Sequence, residues 1–461
     1  MSASFDFQRI PTTLVQMCQS IAQAGGEAWL VGGCVRDLTL GLTPHDWDVE
    51  VYQLEPEKLW STLSNLGHVE HVGKHFGVCK LWLKGLEVDV ALPRTEKKTG
   101  VGHCAFAVTP DPWISPEQAS LRRDFSINAL MVNPLEQQLL DFHHGLEDLK
   151  QKTLRHVSPA FVEDPLRPLR AMQFAARFQL TLSQETRKMC ASLLSEASSL
   201  PASRIWQEWL KWAKADTPSY GLQALKDSTW LSLYPELTAL MGCPQDDYWH
   251  PEGDVWVHTC LVVDAAAKLK GQRDLSQEQQ IQLVFAALCH DLGKPSTTLS
   301  NAEGKICSPA HAMAGKTPAT SLLRRIAAPK SFKTILLPLV QEHITHLHGK
   351  ASKRAVSRLA HRLQPASIEL WEVLTEADAS GRTPAPASRP ALPWLDKAIS
   401  LKIQQRQSPA LLTGKMLIDA GLTPCADFKH ILNAAYQAQL DDEIYDESSA
   451  LLWLQRYTAL D

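Results

Sequence analysis

No apolar run of about 18 residues occurs in the chain, so no segment is predicted to cross a membrane as a helix and no membrane partner is expected. The opening stretch, MSASFDFQRIP, lacks the features of a secretory leader. The ten cysteines are scattered without metal-type pairs, which argues against a zinc ribbon or a disulfide scaffold and predicts a reduced, cytoplasmic protein. Positive charge is not in excess: 46 Lys and Arg face 50 Asp and Glu, for a formal charge of −4. Any nucleic-acid site must therefore be a local patch, such as Lys350–Arg358 or Arg324-Arg325, each of which also reads as a solvated helix face. Internal repeats are missing as well. What remains is ordinary globular composition, 44% hydrophobic and 21% charged, in a 461-residue chain too long for one core.

The most informative stretch is Leu30–Tyr52, LVGGCVRDLTLGLTPHDWDVEVY. A hydrophobic strand runs into Gly32-Gly33, where the lack of a Cβ admits a ligand close to the backbone. A turn or helix start then carries Arg36 and Asp37. The segment after it alternates as a half-buried strand does, with Asp46, Asp48 and Glu50 on one face and Trp47, Val49 and Val51 on the other. Two carboxylates two residues apart suit a hard divalent cation such as Mg2+.

Residues 28–145 read as mixed α/β after a lead helix in 1–27. A hairpin is predicted to turn at Lys84-Gly85, and its second arm places Asp89 as a third carboxylate or as part of a surface alternation. Arg94–Gly102 suits a mobile loop beside phosphate, and Leu121-Arg-Arg-Asp-Phe-Ser-Ile-Asn is expected to open a helix, with Arg123 placed to bind phosphate in a bidentate fork. From about residue 146 helical periodicity takes over, giving a helical neck and body to residue 242. There Asp164 before Pro165 reads as an N-cap, with Asp164, Arg167 and Arg170 recurring at spacing three. A capped, salt-bridged helix explains that spacing. So does base selection: cytosine and adenine both carry an amino donor beside a ring-nitrogen acceptor, which a carboxylate and an arginine can match.

A second constellation lies in 243–382. His258, His290-Asp291, His311, His343 and Asp378 follow one another on a helical background, with Gly293 fitting a helix stop. Imidazole and carboxylate ligands together suit Ni, Mn, Fe or Zn. Residues 383–393 are Pro-rich and read as a linker. The helical tail, 394–461, holds a Gly-Lys segment at 414–415 and a final packing helix.

GG-x-VRD, D-x-D, RTE-KK-G, LRRDFSINAL, HHGLEDLKQKTLRHV and EDPLRPLR, in that order, resemble the class II tRNA nucleotidyltransferases, the CCA-adding enzymes, over roughly residues 28–240. The resemblance implies an α+β chain: a polymerase-beta-like mixed-sheet head followed by all-α domains. It implies that Asp46 and Asp48 hold Mg2+, that Gly33, Arg36, Arg123 and Arg170 contact ATP or CTP, and that Asp164 and Arg167 read the base, with tRNA as the partner. Gln173 departs from the arginine common at that position in bacterial relatives, which puts one phosphate contact in doubt. The second constellation resembles an HD-type phosphohydrolase, which implies His258, His290, Asp291 and Asp378 as metal ligands and His311 and His343 as a second metal or phosphate site. Bacterial enzymes with this extension look bifunctional, with phosphatase and 2′,3′-cyclic phosphodiesterase activities. An enzyme adding only A, a poly(A) polymerase, or a hydrolase with a merely nucleotide-binding head are the alternatives.

Overall fold

The computed structural model describes residues 5–71, 78–98, 106–386 and 388–458. The chain folds into two compact units, one formed by 1–212 and 220–233, the other by 213–219 and 234–461.

The first unit is built on a seven-stranded mixed sheet. Its elements are α1 (Thr12–Gln23), β1 (Glu27–Val31), α2 (Gly33–Thr39), β2 (Trp47–Tyr52), α3 (Pro56–Ser64), β3 (His68–His71), β4 (Val78–Leu83), β5 (Leu86–Ala91), β6 (Arg94–Lys98), β7 (Phe106–Pro110), α4 (Pro116–Ser120), β8 (Met131–Asn133) and β9 (Gln138–Leu140), followed by helices that include α5 (Gly145–Lys150) and α6 (Arg167–Phe178). The sheet order is β3-β4-β5-β2-β1-β8-β9. β2 lies parallel to β5 and antiparallel to β1, so the strand carrying Asp48 is central. That position changes one expectation. β2 is not half-buried: Trp47 and Val49–Tyr52 are all buried, Glu50 included, and only Asp48 is partly open.

The β4–β5 hairpin turns at Lys84-Gly85, both at positive φ (44° and 87°), the backbone of a tight primed turn. Two neighbouring expectations are corrected. Arg94–Lys98 is a strand paired with Phe106–Pro110 rather than loop, because the segment finds a partner ladder; residues 99–102 of the expected loop lie outside the described residues. Arg122-Arg123-Asp124 does not open a helix. It follows the end of α4 and passes through a short 3-10 turn, Ser126–Asn128, into β8. Its polar side chains serve tertiary partners instead.

The second unit is helical. Helices Val255–Lys270, Gln277–Cys289 and Ile368–Ser380 pack together, and Lys330–Glu342 joins them. Gly293 has an ordinary right-handed backbone (φ −84°) and is no left-handed stop. It permits close approach instead: a Cβ there would lie 2.0 Å from the carbonyl oxygen of His311. Within 383–393, Arg389 donates to the buried carboxylate of Glu372, and a helix begins at Leu392. The basic stretch at 350–358 is largely neutralised locally, since Lys353 pairs with Asp442, and Arg354 and Arg358 with Asp441. In the tail, Leu412, Leu417, Ala435, Ile444 and Leu454 form a small core. Among the described residues no helix is long and apolar enough to cross a membrane.

Candidate active sites

At the end of β1 the chain turns at Gly32, whose φ is +74°. A Cβ at that position would lie 3.1 Å from an Arg123 nitrogen and 3.7 Å from an Asp48 oxygen, so the turn runs directly beside both side chains. Asp46 is exposed just before β2, and Asp48 follows two residues later. Gly33, Arg36, Asp46, Asp48, Arg123, Asp164, Arg167 and Arg170 all line one cavity of about 590 Å³. Arg94, Arg122, Arg177 and Lys211 line it too, so eight cationic side chains surround five carboxylates. That balance suits a polyanion bound together with a metal. Asp89 is level with Asp48 on the neighbouring strand but is not part of the cavity wall, and Lys80 lies 3.5 Å from its carboxylate.

Burial raises the carboxyl of Asp48 to about 6; Arg123 opposes the shift, while Asp89, Asp46 and Glu50 add to it. A carboxylate whose ionisation is opposed by burial and by neighbouring anions is one that a cation relieves. The residues present therefore fit a divalent metal.

The arginines are held in place by partners that the sequence did not single out. Glu50, 1% exposed, accepts from Arg122 (2.6 Å) and from the hydroxyl of Tyr52 (2.8 Å), with Arg123 3.6 Å away. Arg170 donates to Asp124 at 2.7 Å, and Asn128 donates to the same carboxylate at 3.0 Å. Burial works against the Asp124 charge, but Arg170 and Asn128 win and lower its pKa. Arg36 is almost wholly buried. It donates to Asp37 and Asn128, and its guanidinium lies 4.4 Å from the ring centre of Phe178. Gln173 is buried and accepts from Arg177 at 3.4 Å. Arg177, seven residues beyond Arg170, reaches the cavity; that helical spacing was a signal available in the sequence.

α6 starts at Arg167 with Leu166 at its N-cap position, so Asp164 does not flank the helix directly; held extended before Pro165 (φ −116°, ψ 106°), it caps the turn that leads into it. One Asp164 oxygen accepts from the Leu166 amide (3.0 Å), and the other pairs with Arg204 (3.1 Å). Arg167 donates to the carbonyls of Ala160 (3.0 Å) and Arg122 (2.6 Å). These contacts fix both side chains while leaving acceptor lone pairs and other guanidinium N–H groups for a ligand.

Replacing Glu50 by Gln removes a buried anion that balances two arginines. It is expected to cost about 3 kcal/mol, read by urea denaturation at pH 7.

The second unit gathers the other constellation. His258 Nε2 lies 3.1 Å from Asp378 and 3.8 Å from Asp291; His290 Nε2 lies 3.2 Å from Asp291 and 3.8 Å from Asp378. On the far side of Asp291, its other oxygen is 3.5 Å from His311 Nε2 and 3.8 Å from His343 Nε2. All six predicted residues thus converge, and Asp291 belongs to both groupings.

Hydrogen bonds at the outer nitrogens fix the tautomers. Nδ1 of His290, His311 and His343 donates to the carbonyls of Ala287, Ser308 and Val340, at 2.7, 2.8 and 2.7 Å. His258 directs Nδ1 to Glu252 at 2.7 Å. His290, His311 and His343 therefore each turn a bare Nε2 inward, whereas His258 Nε2 faces the Asp378 carboxylate; burial opposes the charge of His258, but Asp378 and Glu252 together raise its pKa to about 9. The Nε2 atoms of His311 and His343 lie only 3.2 Å apart, and that of His290 is buried without a hydrogen-bond partner. Lone pairs facing one another around carboxylates fit metal ions. Glu252, in the irregular segment before the first helix, carried no sequence signal. Lys294, 2.7 Å from both Asp291 and Gln245, directly follows Gly293, three residues after Asp291.

A family model described as the poly A polymerase head domain matches residues 28–155. A multifunctional CCA protein of Pasteurella multocida is 38% identical over 77% of this chain and 84% of its own length, and one from Vibrio cholerae is 36% identical over 77% and 86%. The chain belongs to the multifunctional CCA proteins. As a member of that family it is a nucleotidyltransferase. The fold agrees: a CCA-adding enzyme of Bacillus stearothermophilus in complex with CTP aligns over 97% of this chain and 98% of its own, with a TM-score of 0.66 at 20% identity. A Thermotoga maritima CCA-adding enzyme complexed with tRNA aligns over 98% and 97%, with a TM-score of 0.58 at 19% identity. The α+β class expected for a multifunctional CCA protein, a mixed-sheet head followed by helices, is the class found here.

Proposed function

We propose that the chain adds CCA to tRNA 3′ ends from CTP and ATP without a nucleic-acid template. The observation that carries this is the single cavity in which eight cations surround the Asp46/Asp48 pair, with Asp164 and Arg167 in its wall. Asp46 and Asp48 would hold Mg2+, which lowers the pKa of an attacking 3′-hydroxyl and offsets charge at the reacting phosphate. Arg123, Arg170 and Arg177 hold the triphosphate, anchored respectively beside Glu50, by Asp124 and by Gln173. Gly32-Gly33 lets the backbone approach it. Asp164 accepts from the amino group shared by cytosine and adenine, and Arg167 donates to the adjacent ring nitrogen. Uracil and guanine present a carbonyl where that amino group belongs and are rejected. Catalysis is then mostly positioning and electrostatics.

The test uses purified protein, Mg2+, a tRNA transcript ending at the discriminator base, and labelled CTP and ATP. Three added nucleotides followed by arrest are expected. Addition of A alone to tRNA ending in CC, an unlimited A tail, or no incorporation would each overturn the reading.

The sign of the pH dependence follows from Asp48. Its carboxylate is the ligand form, available above about pH 6 and displaced by a proton below it. Mg2+ affinity is expected to fall roughly tenfold per pH unit below that point, measured as the Mg2+ concentration giving half-maximal incorporation.

We assign nucleotide addition to residues 28–242 and a metal-dependent phosphohydrolase to residues 243–382. Six converging ligands, three of them histidines with a bare inward Nε2, support Ni, Mn, Fe or Zn at the second centre. Phosphomonoesters and 2′,3′-cyclic phosphates are the proposed substrates. The described cysteines are all free thiols, which supports a reduced, cytoplasmic setting.

A further inference from the structure

The four histidines of the second centre are not held alike. His290 and His343 each stand at the C-terminal end of a helix, where the last carbonyls have no partner within the helix. His311 follows an irregular segment and takes the carbonyl of Ser308. All three thus rest on main chain three residues back, which no substitution removes. His258 instead ends the first turn of Val255–Lys270. The carbonyls just behind it already serve the helix: that of Asp254 accepts from the His258 amide at 3.1 Å, and that of Val255 from the Thr259 hydroxyl at 2.7 Å. Nδ1 of His258 turns to a side chain, Glu252, at 2.7 Å.

Glu252 lies outside that helix, in the irregular segment before it, and its side chain is 2% exposed. A carboxylate only accepts, so the contact fixes a proton on Nδ1 and makes Nε2 the atom that faces the centre, 3.1 Å from Asp378. The same Glu252 oxygen accepts from Nδ1 of His250 at 2.9 Å, and the His250 and His258 rings pack edge to face with centres 4.6 Å apart. His250 thus braces the carboxylate. These three residues also meet closely enough to hold an ion of their own. Nitrogen–oxygen separations of 2.7 and 2.9 Å are hydrogen-bond lengths, however, and a metal there would have to displace both Nδ1 protons.

We propose that Glu252 is a positioning residue of the second centre. Through its hydrogen bond to Nδ1 it holds the His258 ring so that Nε2 can join Asp291 and Asp378 in a metal's ligand set. The proposal rests on the metal reading of that centre and adds a residue that touches no metal itself. An acceptor behind a ligating imidazole fixes the ring, and its loss typically weakens metal binding about 10- to 100-fold. The acceptor matters here more than its charge. A glutamine amide offers an oxygen at the same place, and the two facing N–H groups select that oxygen over its nitrogen.

The test measures Ni2+ affinity of the full chain by competition with a chromophoric chelator, together with visible absorption of the Co2+-loaded protein. Wild type is compared with Glu252→Met, Glu252→Ala and Glu252→Gln. Glu252→Met fills the space without an acceptor, so the result does not hang on how the site tolerates a cavity. Thermal unfolding and CTP incorporation report that each chain is folded. Glu252→Met and Glu252→Ala are expected to bind Ni2+ about 10- to 100-fold more weakly and to change the Co2+ spectrum at saturation, whereas Glu252→Gln should stay within about threefold of wild type and keep its spectrum. Unchanged affinity in Glu252→Met and Glu252→Ala would overturn the proposal. So would Glu252→Gln binding as weakly as they do, because the hydrogen bond would then not be what acts. Loss of one whole metal equivalent, with the remainder held at wild-type affinity, would make Glu252 a ligand instead. If wild type retains none of Ni2+, Mn2+, Fe2+ or Zn2+, the metal reading itself fails; if wild type and variants retain metal equally, only the role of Glu252 fails.

Discussion

Asp48→Asn is expected to lower CTP and ATP incorporation at least about a thousandfold at pH 8, with thermal unfolding little changed. The metal that Asp48 is proposed to help hold would supply several kcal/mol of charge stabilisation, and about 4 kcal/mol corresponds to that factor. Asp46→Asn should behave alike, although Asp46 is exposed and Asp48 partly buried, because both carboxylates are needed for one ion. Asp89→Asn separates the two readings of the third carboxylate. Asp89 pairs in register with Asp48 but stands outside the cavity wall. Removing its charge takes away one of the groups that raise the Asp48 carboxyl, so the acidic limb of the pH–rate profile should move to lower pH. The rate at pH 8 should then stay within about tenfold of wild type. A thousandfold loss there would instead make Asp89 a ligand.

On the proposed phosphohydrolase reading, Asp291→Asn is expected to strip metal from the second centre and to lower phosphomonoester hydrolysis by about a thousandfold. Asp291 is the one carboxylate shared by the His258–His290 group and the His311–His343 group, so its loss disables both. Metal content by mass spectrometry after dialysis is the direct measure. His343→Ala touches one group only and should leave part of the metal in place. If Asp291→Asn retained full metal content, the assignment of the shared ligand would be wrong.

The chemistry-bearing residues were legible because their types and spacings are local. The Gly-Gly turn, the Asp-x-Asp pair, the arginines at 123, 167 and 170, and the ordered histidines and aspartates each lie in short runs whose side chains can serve few other purposes in combination. Supporting residues were harder to find. Glu50 looked like the third member of an exposed acidic stripe, but β2 is central in its sheet, so Glu50 is buried and becomes the counter-ion of Arg122 and Arg123. Arg122-Arg123-Asp124 resembled a helix start because a polar cluster there precedes apolar residues; tertiary ion pairs hold the segment in an irregular turn instead. Gly293 resembled a helix stop until the packing of His311 against it was seen.

Sequence by itself determined which groups are candidates for the chemistry, since the ligand types and hydrogen-bonding groups on offer are properties of side chains and of short spacings along the chain. Only the tertiary structure decided which of them meet. Asp48 and Arg170 are over a hundred positions apart in the sequence yet line one cavity, and His258 and Asp378, 120 residues apart, lie 3.1 Å from each other. Protonation, tautomer and burial depend on partners brought together by folding across such separations, and no local pattern records them.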